Sequence, residues 1–432
     1  MTQITRIEAT VARLHGLHPK LIDLTLGRLH ALLTKLDHPE RRLPPVLHVA
    51  GTNGKGSTCA FLRAITEAQG WRAHVYTSPH LVRFAERIVI AGREVDDATL
   101  EATLAEIETI NAGAAITVFE VITAAALLLF ARHAADVCIL EVGLGGRYDA
   151  TNVFGQPAAA LIASISLDHQ EFLGDTLTAI AGEKAGIIKP GAPALTGFQP
   201  PAVLEVLTNE ARQAGATLLR RGHEWGLTET GPTLRFEDAT GSLTLPRPGL
   251  PGAHQIDNAG LAVAALRASG LPIDAAAYAG VAHATWPARL QRLNGRLAAR
   301  LPSGWELWLD GGHNEGAGVA LAAQARAWAD RPLHLIVGMK QSKNVAAFLR
   351  PLLSLATSIH AVAEPGQYAA FPTAAIVAAS GGVARPAENI EAALAQIAAR
   401  PAGRVLICGS LYLAGVVLTL DAPAASPTEP SG

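Results

Sequence analysis

The run Gly51-Thr52-Asn53-Gly54-Lys55-Gly56-Ser57-Thr58 constrains this chain more than any other stretch of it. A short β-type run precedes it at 46–50 (VLHVA), and an amphipathic segment follows over 57–69 and stops at Gly70. Strand, glycine-rich turn and helix in that order make a cradle for phosphate. The glycines let backbone N–H groups approach a polyphosphate, and the helix N-terminus adds its positive end. Lys55 is placed to reach the β- and γ-phosphates, and Ser57 or Thr58 supplies a hydroxyl suited to Mg²⁺. Two details depart from the common pattern: the usual first glycine is missing, and Gly56 separates the lysine from the hydroxyl.

Around this loop the pattern alternates. Residues 4–36 carry apolar positions at helical spacing, among them Leu21, Leu24, Leu29, Leu32 and Leu36, before the breaker-rich DHPERRLPP, so a helical prelude is expected. Strands are expected at 73–77 and 88–90, helices at 97–110 and 118–133, a buried strand at 136–142 and another at 161–165. This predicts an α/β fold, a P-loop parallel-sheet ATPase domain with helices on both faces. Turn residues at short intervals over 213–253 read as a small antiparallel excursion. From 293 the rhythm restarts, with strands expected at 305–309, 333–337, 358–362 and 405–408, as a second, smaller Rossmann-like α/β domain. The expected division is 1–292, 293–420 and a Pro/Ala/Ser-rich, disordered tail at 421–432.

Composition limits what such a chain can bind. Hydrophobic residues are 49% of the 432 and charged residues 17%, which excludes disorder through low hydrophobicity. With 35 Lys+Arg against 37 Asp+Glu there is no global field for nucleic acid or an anionic membrane, so an anionic ligand needs a local site. Cys59, Cys138 and Cys408 lie far apart with no CxxC pair, as in a reducing compartment. No run of about 18 uncharged apolar residues occurs, and the first residues lack a signal-peptide core, so a cytoplasmic protein is expected.

Three further strand ends carry candidate chemistry. One reads Tyr76-Thr77-Ser78-Pro79-His80, where Ser-Pro alone is an ordinary turn starter. Another ends in Glu141 before Val142-Gly143-Leu144-Gly145-Gly146. A carboxylate ending a buried strand beside a phosphate loop is suited to Mg²⁺ or to positioning water, and equally to capping a neighbouring loop. The third leads into Ser166-Leu167-Asp168-His169, which puts His169 on the same sheet edge as a metal candidate. Further on, Lys184 and Lys189 read as a snorkelling pair at a helix end.

Taken together, VAGTNGKGST, TSPHL, EVGLGGRYDATN, LDHQEFLGDT and IAGEKAGIIKP make a specific ordered set. With GAHQ, Asn258-Ala259, WPARL, DGGHN and GSLYL, they resemble the folylpolyglutamate synthase/dihydrofolate synthase family of ATP-dependent Mur-type amide ligases, over residues 20 to 415. The resemblance implies that Gly51, Asn53, Gly54, Lys55, Gly56, Ser57 and Thr58 hold ATP, with Asn258, Arg289 and Asp310 contacting it from the hinge and second domain. It implies magnesium ligands at Ser78, Glu141 and His169. It makes Lys184 a carbamylated lysine that holds a second Mg²⁺. Thr117, Phe119 and Glu120, with Tyr148, Asp149 and Ala150, match pterin contacts, Asp149 facing an amino-pterin edge. His313 falls beside nucleotide and incoming glutamate, and Lys55, Lys184, Arg289 and His313 are the implied catalytic set.

The implied reaction joins L-glutamate to dihydropteroate or a reduced folate. A substrate carboxylate attacks the γ-phosphorus of ATP, and the amine of glutamate then attacks the acyl phosphate. The two domains would close over that intermediate on a hinge at 290–297. The partners expected are these small molecules, with no nucleic acid, no membrane and a monomeric chain. Folylpolyglutamate synthesis alone, a cell-wall Mur ligase and a regulatory P-loop ATPase stay open at this point. Glu315, Gly312 and Ala288 depart from the family pattern without removing a reacting group. The departure at Gly338-Met339-Lys340-Gln341-Ser342-Lys343-Asn344 is more serious, because relatives often carry an aspartate in this run and the resemblance implies second-domain glutamate contacts there.

Overall fold

The computed structural model of the chain describes residues 6–18 and 22–423. They divide into two units, one reaching Trp286 and the other running on from Pro287. The expected prelude is two helices, Arg6–His15 and Gly27–Lys35, with a gap between them; Leu21 and residues 424–432 of the expected tail lie outside the described residues.

The first unit is built on eight strands: β1 (Val46–Ala50), β2 (Ala73–Tyr76), β3 (Ile88–Ile90), β4 (Arg93–Glu94), β5 (Val137–Glu141), β6 (Ala159–Ile162), β7 (Ala194–Thr196) and β8 (Leu218–Arg220). They stand in the order β4-β3-β2-β5-β1-β6-β7-β8. From β2 to β8 every neighbouring pair is parallel; β3 and β4 add an antiparallel edge. Leu47, Val49, Val137 and Ile139 pack on one face and Val46, Cys138 and Leu140 on the other. Strands buried on both faces read as unbroken apolar runs, which is why β1 and β5 show no alternation.

Chain order reverses at β1, which has β5 on one side and β6 on the other. Such a switch point opens a crevice at the carboxyl ends of the strands. Register fixes what meets there, since Val49 pairs with Glu141 and Ala50 with Ile162. The excursion is antiparallel over β9 (Trp225–Thr230), β10 (Thr233–Asp238) and β11 (Gly241–Pro246). It is shorter than 213–253, because the helix Pro201–Ala214 and the parallel strand β8 take up its beginning.

In the second unit β12 (Gln291–Leu293), β13 (Glu306–Leu309), β14 (Leu333–Val337), β15 (Ser358–Ala361), β16 (Arg385–Pro386) and β17 (Arg404–Cys408) form one sheet. Its order is β12-β13-β17-β14-β15-β16, parallel except for β12. Leu335, Val337, Ile359, Leu406 and Cys408 supply its core with Leu321 and Phe348. Because β12 pairs with β13, residues 291–293 belong to this unit, and the division falls after Trp286 rather than after 292.

Candidate active site

The glycine-rich loop begins where β1 ends. Gly54, at φ +87°, is the N-cap of the helix Lys55–Ala68, a left-handed turn in which a side chain would be strained. A Cβ at Gly54 would also overlap Asn258 Oδ1, so Asn258, 8% exposed and held by Gln255 at 3.0 Å, lies directly against the loop. Gly56 fits beneath the Trp286 indole, where a Cβ would sit 2.8 Å from Nε1. The extra glycine therefore makes room for a tryptophan. The loop is tied to the segment after β6: Thr52 N–H donates to the Ser164 carbonyl (2.8 Å), Thr52 Oγ1 to the Ser166 carbonyl (3.0 Å) and Asn53 Nδ2 to Ser166 Oγ (3.1 Å).

Two lysines converge on one backbone oxygen. Lys55 Nζ donates to the Gly51 carbonyl at 3.1 Å and Lys184 Nζ to the same oxygen at 2.9 Å. Lys184 is 4% exposed in the last turn of the helix Leu177–Ala185, so it is buried and does not snorkel as the sequence reading expected; Lys189 is half-buried. Burial first, and then the charge of Lys55, push the Lys184 ammonium down to about 7. An anion placed there relieves both effects.

The hydroxyls of Ser57 and Thr58 are buried, and neither has a hydrogen-bond partner among the described residues. Orphaned buried hydroxyls at the start of a phosphate-loop helix fit a metal or phosphate oxygen. Glu141, 5% exposed at the end of β5, accepts from the Ser78 N–H at 3.1 Å, which joins two of the proposed metal ligands. His169 follows β6 as the exposed, left-handed N-cap of a short turn of helix, φ 52°. No three His, Cys, Asp or Glu side chains cluster as a metal site among the described residues. That donor set suits Mg²⁺, which keeps waters and leans on one or two carboxylates and substrate phosphates.

The loop after β5 is folded onto the Lys184 helix. Arg147 N–H donates to the Glu183 carbonyl at 2.8 Å, and Asn152 Nδ2 bonds the Arg147 and Gly186 carbonyls at 3.1 Å each. Asp149, 2% exposed, spends both oxygens inside this loop: Oδ1 accepts from Thr151 N–H and Oγ1, Oδ2 from Leu144 N–H (2.9 Å). Burial raises its carboxyl above the usual carboxylate range. Ala150 is buried and Tyr148 is 48% exposed. Thr117 caps the helix Val118–Arg132 reciprocally with Glu120, whose Oε2 also accepts from Arg28 Nε at 3.1 Å. Phe119 covers Gly143, in the loop that leads from β5 to the second candidate pterin segment. Sequence reasoning assigned Arg28 no role; its link to this site is Glu120, 92 residues away.

In the second unit Asp310 braces the turn after β13, accepting from Leu290 N–H at 2.9 Å and Gly312 N–H at 2.7 Å. Arg289 Nη1 donates to the Ala288 carbonyl at 2.9 Å and lies beside Gly311. His313 Nδ1 bonds the Gly311 carbonyl at 2.8 Å, and Asn314 caps the helix Glu315–Ala327. Ala288 sits at φ +54°, a conformation glycine adopts without strain.

Residues 49–266 match the Mur ligase middle domain. The chain is 37% identical over 415 residues to the dihydrofolate synthase/folylpolyglutamate synthase of Escherichia coli K12, covering 95% of this chain and 94% of that one. It belongs to the folylpolyglutamate synthase/dihydrofolate synthase family of Mur-type ligases. The likeness extends to the fold. Escherichia coli FolC in complex with DHPP and ADP superposes with a TM-score of 0.86 at 34% identity, over 96% of this chain and 97% of the other. A bifunctional family member with Mn, AMPPNP and L-glutamate bound gives 0.83 at 33% identity, over 96% and 99%. Membership extends through both units, and the α/β architecture of a P-loop sheet with a smaller parallel-sheet domain is that of the family. No described helix is long and apolar enough to cross a membrane.

Proposed function

We propose that the chain is an ATP-dependent ligase that joins L-glutamate to dihydropteroate, and to the γ-carboxyl of reduced folates, through an acyl phosphate. The observation that carries this is the likeness to a bifunctional Escherichia coli enzyme through nearly the whole of both chains. The site chemistry agrees with it. Lys55, Lys184 and the helix N-terminus concentrate positive charge on the Gly51 loop, where the β- and γ-phosphates of ATP would lie. Asn258 against Gly54, with Arg289 and Asp310 of the second unit, completes the proposed nucleotide contacts.

Ser57, Thr58, Ser78, Glu141 and His169 would hold Mg²⁺, which when bound neutralises phosphate charge. Lys184 is proposed to be carbamylated: its neutral amine adds to carbon dioxide with loss of a proton, converting a buried cation to an anionic oxygen donor for a second ion. The carboxylate of the pteroyl substrate, seated by Phe119, Tyr148 and their neighbours, attacks the γ-phosphorus in line, and the amine of glutamate displaces phosphate from the acyl carbon beside His313. The reading includes a monomeric, cytoplasmic enzyme with labour divided between a nucleotide-binding first unit and a glutamate-ligase second unit.

The test is ADP release by purified protein with dihydropteroate, tetrahydrofolate or a cell-wall precursor, each with and without L-glutamate. Glutamate-dependent turnover with the first two is expected. Turnover with tetrahydrofolate alone leaves only folylpolyglutamate synthesis, and hydrolysis indifferent to glutamate sinks the ligase reading. Intact-mass measurement from carbon-dioxide-equilibrated buffer tests the carbamate; a fully active, unmodified Lys184 removes it.

A further inference from the structure

The antiparallel sheet of β9, β10 and β11 has no part in the chemistry above, yet the helix that carries Asn258 is fastened to it. That helix, Ala253–Ala268, turns opposite faces to different neighbours. Asn258 lies against Gly54 of the phosphate loop. Gly260, two residues on and therefore about 200° round the helix, faces the small sheet, where a Cβ would come 3.0 Å from Cζ3 of Trp225 and 3.2 Å from Cδ2 of Leu227. The helix is held between loop and sheet with no room for a methyl group at Gly54 or at Gly260.

Two ion pairs fix the helix along that contact. At its C-terminal end Arg267 Nε donates to Asp238 Oδ2 of β10 at 2.6 Å, with both side chains largely buried. Near its N-terminal end Asp257, the residue before Asn258, pairs with Arg221. The Arg221 side chain is 9% exposed, and its guanidinium lies 4.6 Å from the centre of the Phe198 ring and 5.7 Å from that of Trp225. Its backbone N–H donates to the Thr196 carbonyl at 3.0 Å. Arg221 thus ties the ends of β7 and β8 and the start of β9 to the turn of helix that presents Asn258. A buried guanidinium deprived of its carboxylate is an uncompensated charge, so this pair resists slipping.

We infer that Arg221 is a positioning residue for nucleotide binding: by holding Asp257 it fixes the helix turn that sets Asn258 over the phosphate loop, with the antiparallel sheet as its backing. The Arg267 pair, about three turns further along, anchors the helix at a distance from the site. The inference rests on the reading of Asn258 as a nucleotide contact.

The Kd for Mg–ADP by titration calorimetry, read beside urea midpoints, separates the two pairs. Arg221→Met and Asp257→Asn should each raise the Kd about 3- to 10-fold, the loss expected when one hydrogen bond to the ligand is misplaced. Because the two residues act as one contact, the double variant should bind no worse than the weaker single. Arg221→Lys keeps the charge without the planar fork and should recover part of the loss. Arg267→Met should lower the urea midpoint and leave the Kd unchanged. Asp257 is 41% exposed, so Asp257→Asn tests the pair even where Arg221→Met does not fold. An unchanged Kd in folded Asp257→Asn and Arg221→Met, or equal weakening in Arg267→Met, overturns the positioning role while Asn258→Ala still binds weakly. Wild-type affinity in Asn258→Ala overturns the nucleotide reading of Asn258, and the inference with it.

Discussion

At the scale of single residues, the site is decided by what lies against two glycines and one carboxylate. An alanine at position 56 would press on three atoms of the Trp286 indole, the nearest at 2.8 Å. Overpacking costs about 1–3 kcal/mol, partly offset by roughly 1 kcal/mol of better helix propensity. Gly56→Ala should therefore lower stability by about 1 kcal/mol in urea unfolding and weaken ATP binding, and on a Trp286→Ala background the stability loss should vanish. An unchanged loss on that background would mean that the indole is not what the glycine accommodates. Asp149 gives a different expectation. Its oxygens hold Thr151 and Leu144, so Asp149→Asn should cost about 1–3 kcal/mol of stability whatever it does to pterin affinity. A stable variant with weak substrate binding would restore the purely ligand-facing role read from the sequence.

At the scale of elements, buried histidines on central strands make stability depend on pH. His48 of β1 is fully buried and pushed down to about 3, by burial first and then by Lys189. His360 of β15 is pushed down to about 4, by burial first and then by Arg400. Each binds its proton more weakly folded than unfolded, where the value is 6.5. The unfolded state thus takes up protons first, and stability present above pH 6.5 is lost as pH falls toward 4 and then 3. Denaturant midpoints should drop across that window, and less steeply in His360→Asn. The elements themselves were unevenly legible. β1, β5 and β14 are continuous apolar runs and were read at nearly their observed bounds. The edge strands Arg93–Glu94 and Arg385–Pro386 are two residues long and carry no pattern to read.

At the scale of the molecule, a near-neutral chain can serve anionic substrates because its positive charge is local. Nucleotide should accordingly stabilise the folded state by mass action. Mg–ADP at a hundred times its Kd should add about 2.7 kcal/mol, read as a shift in thermal midpoint. Ser57→Ala, which removes one orphaned hydroxyl, should reduce that shift. An equal shift in the variant would place the hydroxyl outside the metal and phosphate contacts.

The amino-acid sequence alone determined the phosphate loop, because strand, glycines, lysine and helix lie within about two dozen residues of one another, and the α/β class and the family, because each further strand and motif is itself a short local run and their order along the chain is specific. Tertiary structure alone decided what the motifs do to each other. Lys184 reads as a helix-end lysine and is instead buried on the Gly51 carbonyl, across 133 residues of sequence. Gly56 reads as an irregularity and is the floor beneath Trp286. Arg221 shows nothing in its sequence neighbourhood, and only its burial and its pairing with Asp257 mark it. Burial and partnership are properties of packed neighbours, and packing joins residues that no local pattern connects.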